Sequence, residues 1–295
     1  MEQPLITVGI PFYNSEKTLL DAVRSVFAQT LQDWELILVD DGSSDQSLTI
    51  AQSIDDDRVR VLSDGENKKL PARLNQIIDE ARGKYIARMD ADDLCTPQRL
   101  EKQMQRFQQD THIDVVGTGM LYLDEAGRPL GKILLPPRHE KICQTPYRTF
   151  QISHATILAR KEWFTKHRYD EKITLGQDFH LWLRSFRQSK FANVPDPLYC
   201  YRLESSFRLK KQCKDRRLSA RFLFDHYRKQ KRPDKAVFYA AMQYLRMFAE
   251  IAYCAAGAKK KLLARRYHKL TDKERNVFET EIQNIINTKV PLHAT

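Results

Sequence analysis

The chain has 295 residues, enough for one large domain or a domain with an appendage, and its composition is globular rather than disordered or fibrous. The net charge of +11 is uneven: residues 1–207 hold 27 Lys+Arg against 30 Asp+Glu (net −3), and residues 208–295 hold 22 against 8 (net +14), so an anionic partner is expected at the last third. Five scattered cysteines without a Cys-x-x-Cys pair argue against a zinc or disulfide scaffold, and the absence of a secretory leader or an 18-residue apolar window points to a cytoplasmic protein.

Leu5-Ile6-Thr7-Val8-Gly9-Ile10 reads as a buried strand bounded by Pro11, with a helix opening at Ser15. Glu35–Val39 is a second strand ending at Asp40-Asp41-Gly42, and a helix follows from about Gln46. Arg58–Leu62 is a third strand, and Pro71–Arg82 is a helix with Leu74, Ile77, Ile78 and Ala81 on one side. Tyr85–Met89 is a fourth strand, and it stops at Asp90, Asp92 and Asp93. This β-α-β-α-β-α-β order predicts a doubly wound sheet with right-handed crossovers.

In such sheets ligands bind beyond the carboxyl ends of the strands. Three strand ends carry chemistry there: Pro11-Phe12-Tyr13-Asn14, Asp40-Asp41 and Asp90-Ala91-Asp92. The clustered carboxylates repel one another unless a cation sits among them, and Mg²⁺ or Mn²⁺ would bridge them to a diphosphate. The other reading is a solvated acidic turn before a helix, with Thr96 as N-cap and Pro97 as its first residue. No Gly-x-Gly-x-x-Gly or Gly-x4-Gly-Lys-Ser/Thr cradle is present, so a bridging metal is the natural holder for phosphate.

Farther on, a helix is expected from Gln98 to Gln108, a strand over Asp114–Gly119 and a hairpin of Met120–Leu123 with Leu130–Leu135. Ile152–Leu158 reads as a strand, followed by a helix from Glu162. A further helix begins at Gly176-Gln177-Asp178, and short extended pieces follow at Phe191–Val194 and Pro197–Arg202. Asp178 has two explanations: a carboxylate favoured by the helix dipole, or a general base at a pocket mouth.

Together these motifs resemble the family 2 glycosyltransferases, inverting enzymes of the GT-A fold. The likeness rests on Ile10–Glu16, Val39–Asp45, Ala72–Asn75, Ala81–Asp93, Gln177–Arg184 and Ala192–Arg202, in order, and it stops near residue 207. It implies a Rossmann-like mixed sheet flanked by helices over residues 1–207; residues 208–295, outside the likeness, read by their own pattern as a basic, mainly helical extension. It implies that Pro11, Tyr13 and Asp41 hold the base and ribose of a nucleotide, with Arg73 near the base and diphosphate. Asp90 would face the ribose and Asp92 the metal, Mn²⁺ or Mg²⁺, while Asp178 would be the catalytic base. His154 is a residue for the pocket or the acceptor side, and so is Gln177, which stands where the family has a glutamate. The absence of a Gln-x-x-Arg-Trp motif and of spanning helices favours single addition over processive synthesis. The implied partners are a nucleotide-sugar, UDP-linked by preference, and a saccharide or lipid-linked acceptor; no nucleic-acid module is found. The rivals are a sugar-phosphate nucleotidyltransferase, which would want a glycine-rich basic loop, and a non-catalytic tethering protein with a degenerate transferase fold.

In the basic extension, helices are expected over Arg208–Arg232 and Ala236–Ala256, with Arg246 and Glu250 spaced to pair, and another from Thr271. The second helix is too interrupted to span a bilayer. It suits either a hairpin packed on the catalytic domain or a peripheral contact with an anionic membrane, helped by Lys259-Lys260-Lys261 and Arg265-Arg266.

Overall fold

The computed structural model describes residues 3–124, 126–203, 209–257 and 267–293. The Lys259–Lys261 and Arg265-Arg266 clusters lie outside the described residues. In chain order the N-terminal half comprises β1 (Ile6–Phe12), α1 (Leu19–Phe27), β2 (Trp34–Asp40), α2 (Ser47–Gln52), β3 (Val59–Leu62), α3 (Lys69–Glu80), β4 (Tyr85–Arg88), β5 (Leu94–Cys95) and α4 (Arg99–Gln109). Then come β6 (Val115–Leu123), β7 (Pro129–Ile133), α5 (His139–Ile142), a 3-10 turn (His154–Thr156), β8 (Leu158–Arg160), α6 (Lys161–Lys166), α7 (Gln177–Ser185) and β9 (Phe191–Arg202). Three helices follow: α8 (Leu209–Lys229), α9 (Pro233–Ala255) and α10 (Asp272–Ile286).

Among the described residues the strands form one sheet, ordered β3-β2-β1-β4-β8-β6-β9-β5, with β7 on β6. The first four strands are parallel, as the alternating pattern predicts. The sheet then turns mixed, because β8 runs antiparallel to both β4 and β6. Both faces are covered, so successive residues of β2 enter opposite cores. Leu36 and Leu38 meet α1 residues such as Leu19 and Val23; Ile37 and Val39 meet α3, α6 and α7 through Leu74, Ile77, Phe164 and Trp182.

Several expected boundaries shift. β1 runs through Pro11 to Phe12, because β4 pairs with β1 only up to Gly9. Gly9 accepts Met89 N–H, so Pro11, of the same parity, turns its missing N–H to the side that β4 has left. Thr96 does not cap a helix: Leu94 and Cys95 are drawn into the sheet by Cys200 and Tyr199, and the helix starts only at Arg99. The strand expected over Ile152–Leu158 is instead a 3-10 turn leading into β8, and the turn buries His154. The two extended pieces after α7 are one strand, β9, whose pairing with β6 shifts register around Gly119.

α8 and α9 form a helical hairpin that sits on the sheet and its helices rather than apart from them. Leu223 and Tyr227 of α8 are buried with Trp163, Leu181 and Phe191. Gln243 of α9, buried, donates to Tyr147 O at 2.7 Å, and Tyr239 stacks on Tyr147 at 4.4 Å between centroids. Arg246 and Glu250 do not pair with each other: Glu250 takes Arg216 of α8 at 2.6 Å, and Arg246 donates to Arg148 O at 2.8 Å. Tertiary partners on a neighbouring helix and on the 145–150 loop displace the local i,i+4 pair. α10 starts at Thr271 with a capping box to Glu274 and returns to the sheet, where Ile282 and Ile285 bury beside Leu94, Leu121 and Leu123.

Candidate active site

The site gathers at the carboxyl ends of β1, β2 and β4, which lie side by side and point the same way. On the β2 side, the buried Asp41 accepts Lys68 N–H at 2.8 Å and Arg73 Nε at 2.9 Å. Arg73 is 1% exposed and fully engaged, giving its remaining donors to Asp64, Gln76 and the Glu66 carbonyl. It therefore clamps the 64–68 loop onto Asp41, and its guanidinium stays within the protein. Gly42 lies where that loop crosses: its φ is +75°, and a Cβ there would stand 2.9 Å from the Glu66 carbonyl carbon. Pro11 is buried, whereas Tyr13 is 51% exposed at the mouth. Asn14, with a left-handed φ of 49°, zips the two strand ends together, accepting Ser44 N–H at 2.8 Å and donating its own N–H to Ser43 Oγ at 3.1 Å.

Next to it, β4 delivers the carboxylates. Asp90, Asp92 and Asp93 can each offer one oxygen within 4.8 Å of the others. They are not equivalent. Asp92 is exposed and Asp90 partly so, while Asp93 is buried and accepts Arg202 N–H at 2.9 Å. Burial, then the charges of Asp90 and Asp92, push the Asp93 carboxyl well above its ordinary pKa. Two solvent-reaching carboxylates on one short loop, of hard oxygen character, fit Mg²⁺ or Mn²⁺ sharing its coordination with phosphate oxygens.

The motifs do not single out the residue at the centre of this cluster. Arg88, the last residue of β4, is buried and ion-paired with Asp90. Burial alone would lower its pKa, but Asp90, Tyr199, Tyr169 and Asp93 outweigh it and hold the guanidinium charged. Arg99 braces the same strand end from α4, donating to Arg88 O at 2.8 Å. Asp90 N–H in turn donates to the buried Tyr199 hydroxyl at 3.1 Å. Arg88 did carry a signal: it is a charge in a strand whose neighbours Tyr85, Ile86, Ala87 and Met89 are apolar. Tyr199 and Tyr169 carried none, because each reaches the site from a distant element.

The third side is α7. Gly176, with φ +71°, turns the chain into the helix, and Gln177 and Asp178 occupy its first turn, both partly exposed. The Asp178 carboxyl itself is recessed. Burial raises its pKa, and nearby Asp90 adds to that; the N–H groups at the helix start and Arg88 act in the opposite sense. The structure thus brings Asp178 within electrostatic reach of Arg88 and Asp90. His154 joins them from the 3-10 turn, its Nε2 2.7 Å from the Tyr169 hydroxyl. Burial and then Arg88 pull its pKa well down, so it is neutral. From α8, Asp215 comes near enough to Asp178 to be perturbed by it, and one buried Asp215 oxygen has no hydrogen-bond partner among the described residues.

The site therefore sits on a curled mixed sheet with helices on both faces, with an acidic loop at its switch point. The Glycosyl transferase family 2 description matches residues 7–168. A Bacillus subtilis (strain 168) protein named as a glycosyltransferase, EpsE, is 33% identical over 269 residues, covering 88% of this chain and 95% of its own. The chain belongs to glycosyl transferase family 2. Solved structures share the fold at low identity. Residues 1–349 of S. aureus TarS, in complex with UDP-GlcNAc, align at a TM-score of 0.60 and 19% identity over 79% of this chain and 72% of that one. The mannosyltransferase PcManGT from Pyrobaculum calidifontis, in complex with GDP-Man and Mn²⁺, aligns at 0.56 and 17% over 97% and 86%.

Proposed function

We propose that the chain moves one sugar from a nucleotide-sugar, UDP-linked by preference, to a hydroxyl of a saccharide or lipid-linked acceptor of the cell surface, with inversion and without processivity. The observation that carries this reading is that the Asp178 carboxyl lies within electrostatic reach of Arg88 and of Asp90 in the acidic loop. In this reading Pro11, Tyr13 and Asp41 form the wall for the base and ribose, and Arg73 acts by bracing Asp41 rather than by touching phosphate. Asp90 and Asp92 would hold a divalent cation, which when bound neutralises charge on the departing diphosphate. Asp178 removes the proton of the attacking hydroxyl from the face opposite the diphosphate, as inversion requires. Its raised pKa suits it to accept that proton. His154, neutral and anchored on Tyr169, and Gln177 line the acceptor side.

Asp92→Ala is expected to abolish metal-dependent nucleotide binding. A thermal-shift series with UDP and GDP, with and without Mn²⁺, reads this directly; a variant that kept the full metal-dependent shift would remove Asp92 from the metal site.

The charge of the last third and the shape of α9 support attachment to an anionic membrane surface. No helix among the described residues is long and apolar enough to cross one. α9 nevertheless exposes Val237, Phe238, Leu245 and Phe248, each 58–62% exposed and recurring along one side of the helix. Leu245→Glu/Phe248→Glu is expected to weaken binding to phosphatidylglycerol vesicles at least about tenfold, since each side chain would otherwise bury some 1.5–3 kcal/mol of apolar contact. Binding should also fall as salt rises; vesicle binding that is absent, or indifferent to both changes, would dismiss the membrane role.

A further inference from the structure

A second concavity lies behind the base. It is bounded by the 172–175 loop, the outer side of α7 and one face of α8, and holds about 510 Å³. Its rim is cationic: Lys172, Arg184, Lys214, Arg221 and Lys229 line it, against Asp225 as the only carboxylate of the lining. Arg221 and Asp225 approach only to 3.9 Å, and Lys172, Lys214 and Lys229 have no ion-pair partner among the described residues. The floor is apolar, built from Ile173, Leu175, Leu183, Leu218 and Phe222. The five cations are exposed around the recess; like charges gathered there repel one another, most at low salt, and a bound anion offsets that repulsion.

Two histidines in the lining report this field. Burial, then Arg184, Lys229 and His226, bring His180 down to about 4, with Asp170 opposing. Burial, then Arg187 and Lys229, lower His226 as well. Burial is the larger cause in both rings, and the neighbouring cations of the rim add to it.

We infer that this cleft binds a phosphate or diphosphate group carried by the acceptor, with the basic rim reading the phosphate oxygens and the apolar floor taking the group attached to them. The placement supports an acceptor role. Thr174 and Leu175 line the cleft, and Gly176, Gln177 and Asp178 follow directly in the chain. His180 and Arg184 of the same helix face the cleft, so α7 stands between the two recesses, about 10 Å across with its side chains. An acceptor that reaches both recesses would pass around the N-terminal end of α7, where Thr174 and Leu175 of the cleft lead into Gln177 and Asp178. The inference rests on the transfer reading of the Asp178 site, and it assigns the basic residues of α8 a ligand within reach of the base.

The test follows the histidine rings of the full chain by NMR while inorganic pyrophosphate is added. The added negative charge is expected to raise the titration midpoints of His180 and His226. The affinity read this way should fall at least about tenfold in Lys214→Gln/Lys229→Gln, because charge-assisted contacts to phosphate oxygens are lost. His154, which lies beside Arg88 and lines no part of the cleft, serves as the internal control. Geranyl diphosphate and glucose 1-phosphate separate the sources: tighter binding of the former favours a lipid carrier, and of the latter a soluble sugar phosphate. Unmoved His180 and His226 midpoints, or equal affinity in the double variant, would overturn the site. Nucleotide release from the donor by hydrolysis is measured in the same variant. Retained hydrolysis with lost pyrophosphate binding supports a cleft separate from the donor site. A wild-type chain that hydrolyses no nucleotide-sugar would overturn the transfer reading, whatever the histidines show.

Discussion

Asp178→Asn is expected to lower sugar transfer by about 10²- to 10⁴-fold, the usual contribution of a positioned general base, while donor affinity stays within about twofold. Asparagine keeps the size and much of the hydrogen bonding of the side chain at the start of α7, so the helix and the recess remain. What disappears is the negative charge and basicity that let the carboxylate take the hydroxyl proton. Single-turnover transfer and equilibrium binding of the nucleotide separate the two effects. The pH profile supplies a second check. Burial raises the Asp178 pKa, so the carboxyl is protonated at pH values where an ordinary aspartate is ionised. Activity should therefore decline as pH falls through that raised value, with its acid limb above the ordinary carboxylate range. A variant with near wild-type turnover would take Asp178 out of the base role.

Arg88→Met should be the most damaging substitution for stability. The guanidinium is buried among Asp90, Asp93, Tyr169 and Tyr199, and its removal leaves buried carboxyl groups without their compensating charge. Breaking a buried pair from one side costs about 3–5 kcal/mol, of which part is recovered here because Asp90 reaches solvent. Urea unfolding reads the loss. Metal-dependent nucleotide binding should fall together with stability, because Asp90 loses the partner that orients it. An unfolding free energy within about 1 kcal/mol of the wild type would show that Arg88 is not the organising charge of the site.

The contrast between Arg88 and Arg73 shows what sequence patterns can and cannot say. Both are arginines beside acidic motifs, and family likeness directs attention to Arg73. In the fold Arg73 spends its donors on Asp41, Asp64, Gln76 and the Glu66 carbonyl, whereas Arg88 stands among the carboxylates at the end of β4. Side-chain direction and the competition among partners decide this, and neither has a period that can be read along the chain. The same holds for Thr96, a good capping residue locally, whose segment is instead pulled into the sheet by β9. It holds too for Arg246 and Glu250, spaced to pair with each other but each paired elsewhere.

By itself the sequence determined the alternation of strands and helices, the parallel half of the sheet, the membership of the family and the loops where polar chemistry would gather. These follow from hydrophobic periodicity and from short motifs, which act over a few residues. Only the tertiary structure decided that β8 enters antiparallel, that Arg88 and the distant Tyr169, Tyr199 and His154 surround the acidic loop, and that α8 closes a basic cleft behind Asp178. Those depend on which surfaces meet when residues tens to more than a hundred positions apart are buried together, and burial is a property of the assembled fold.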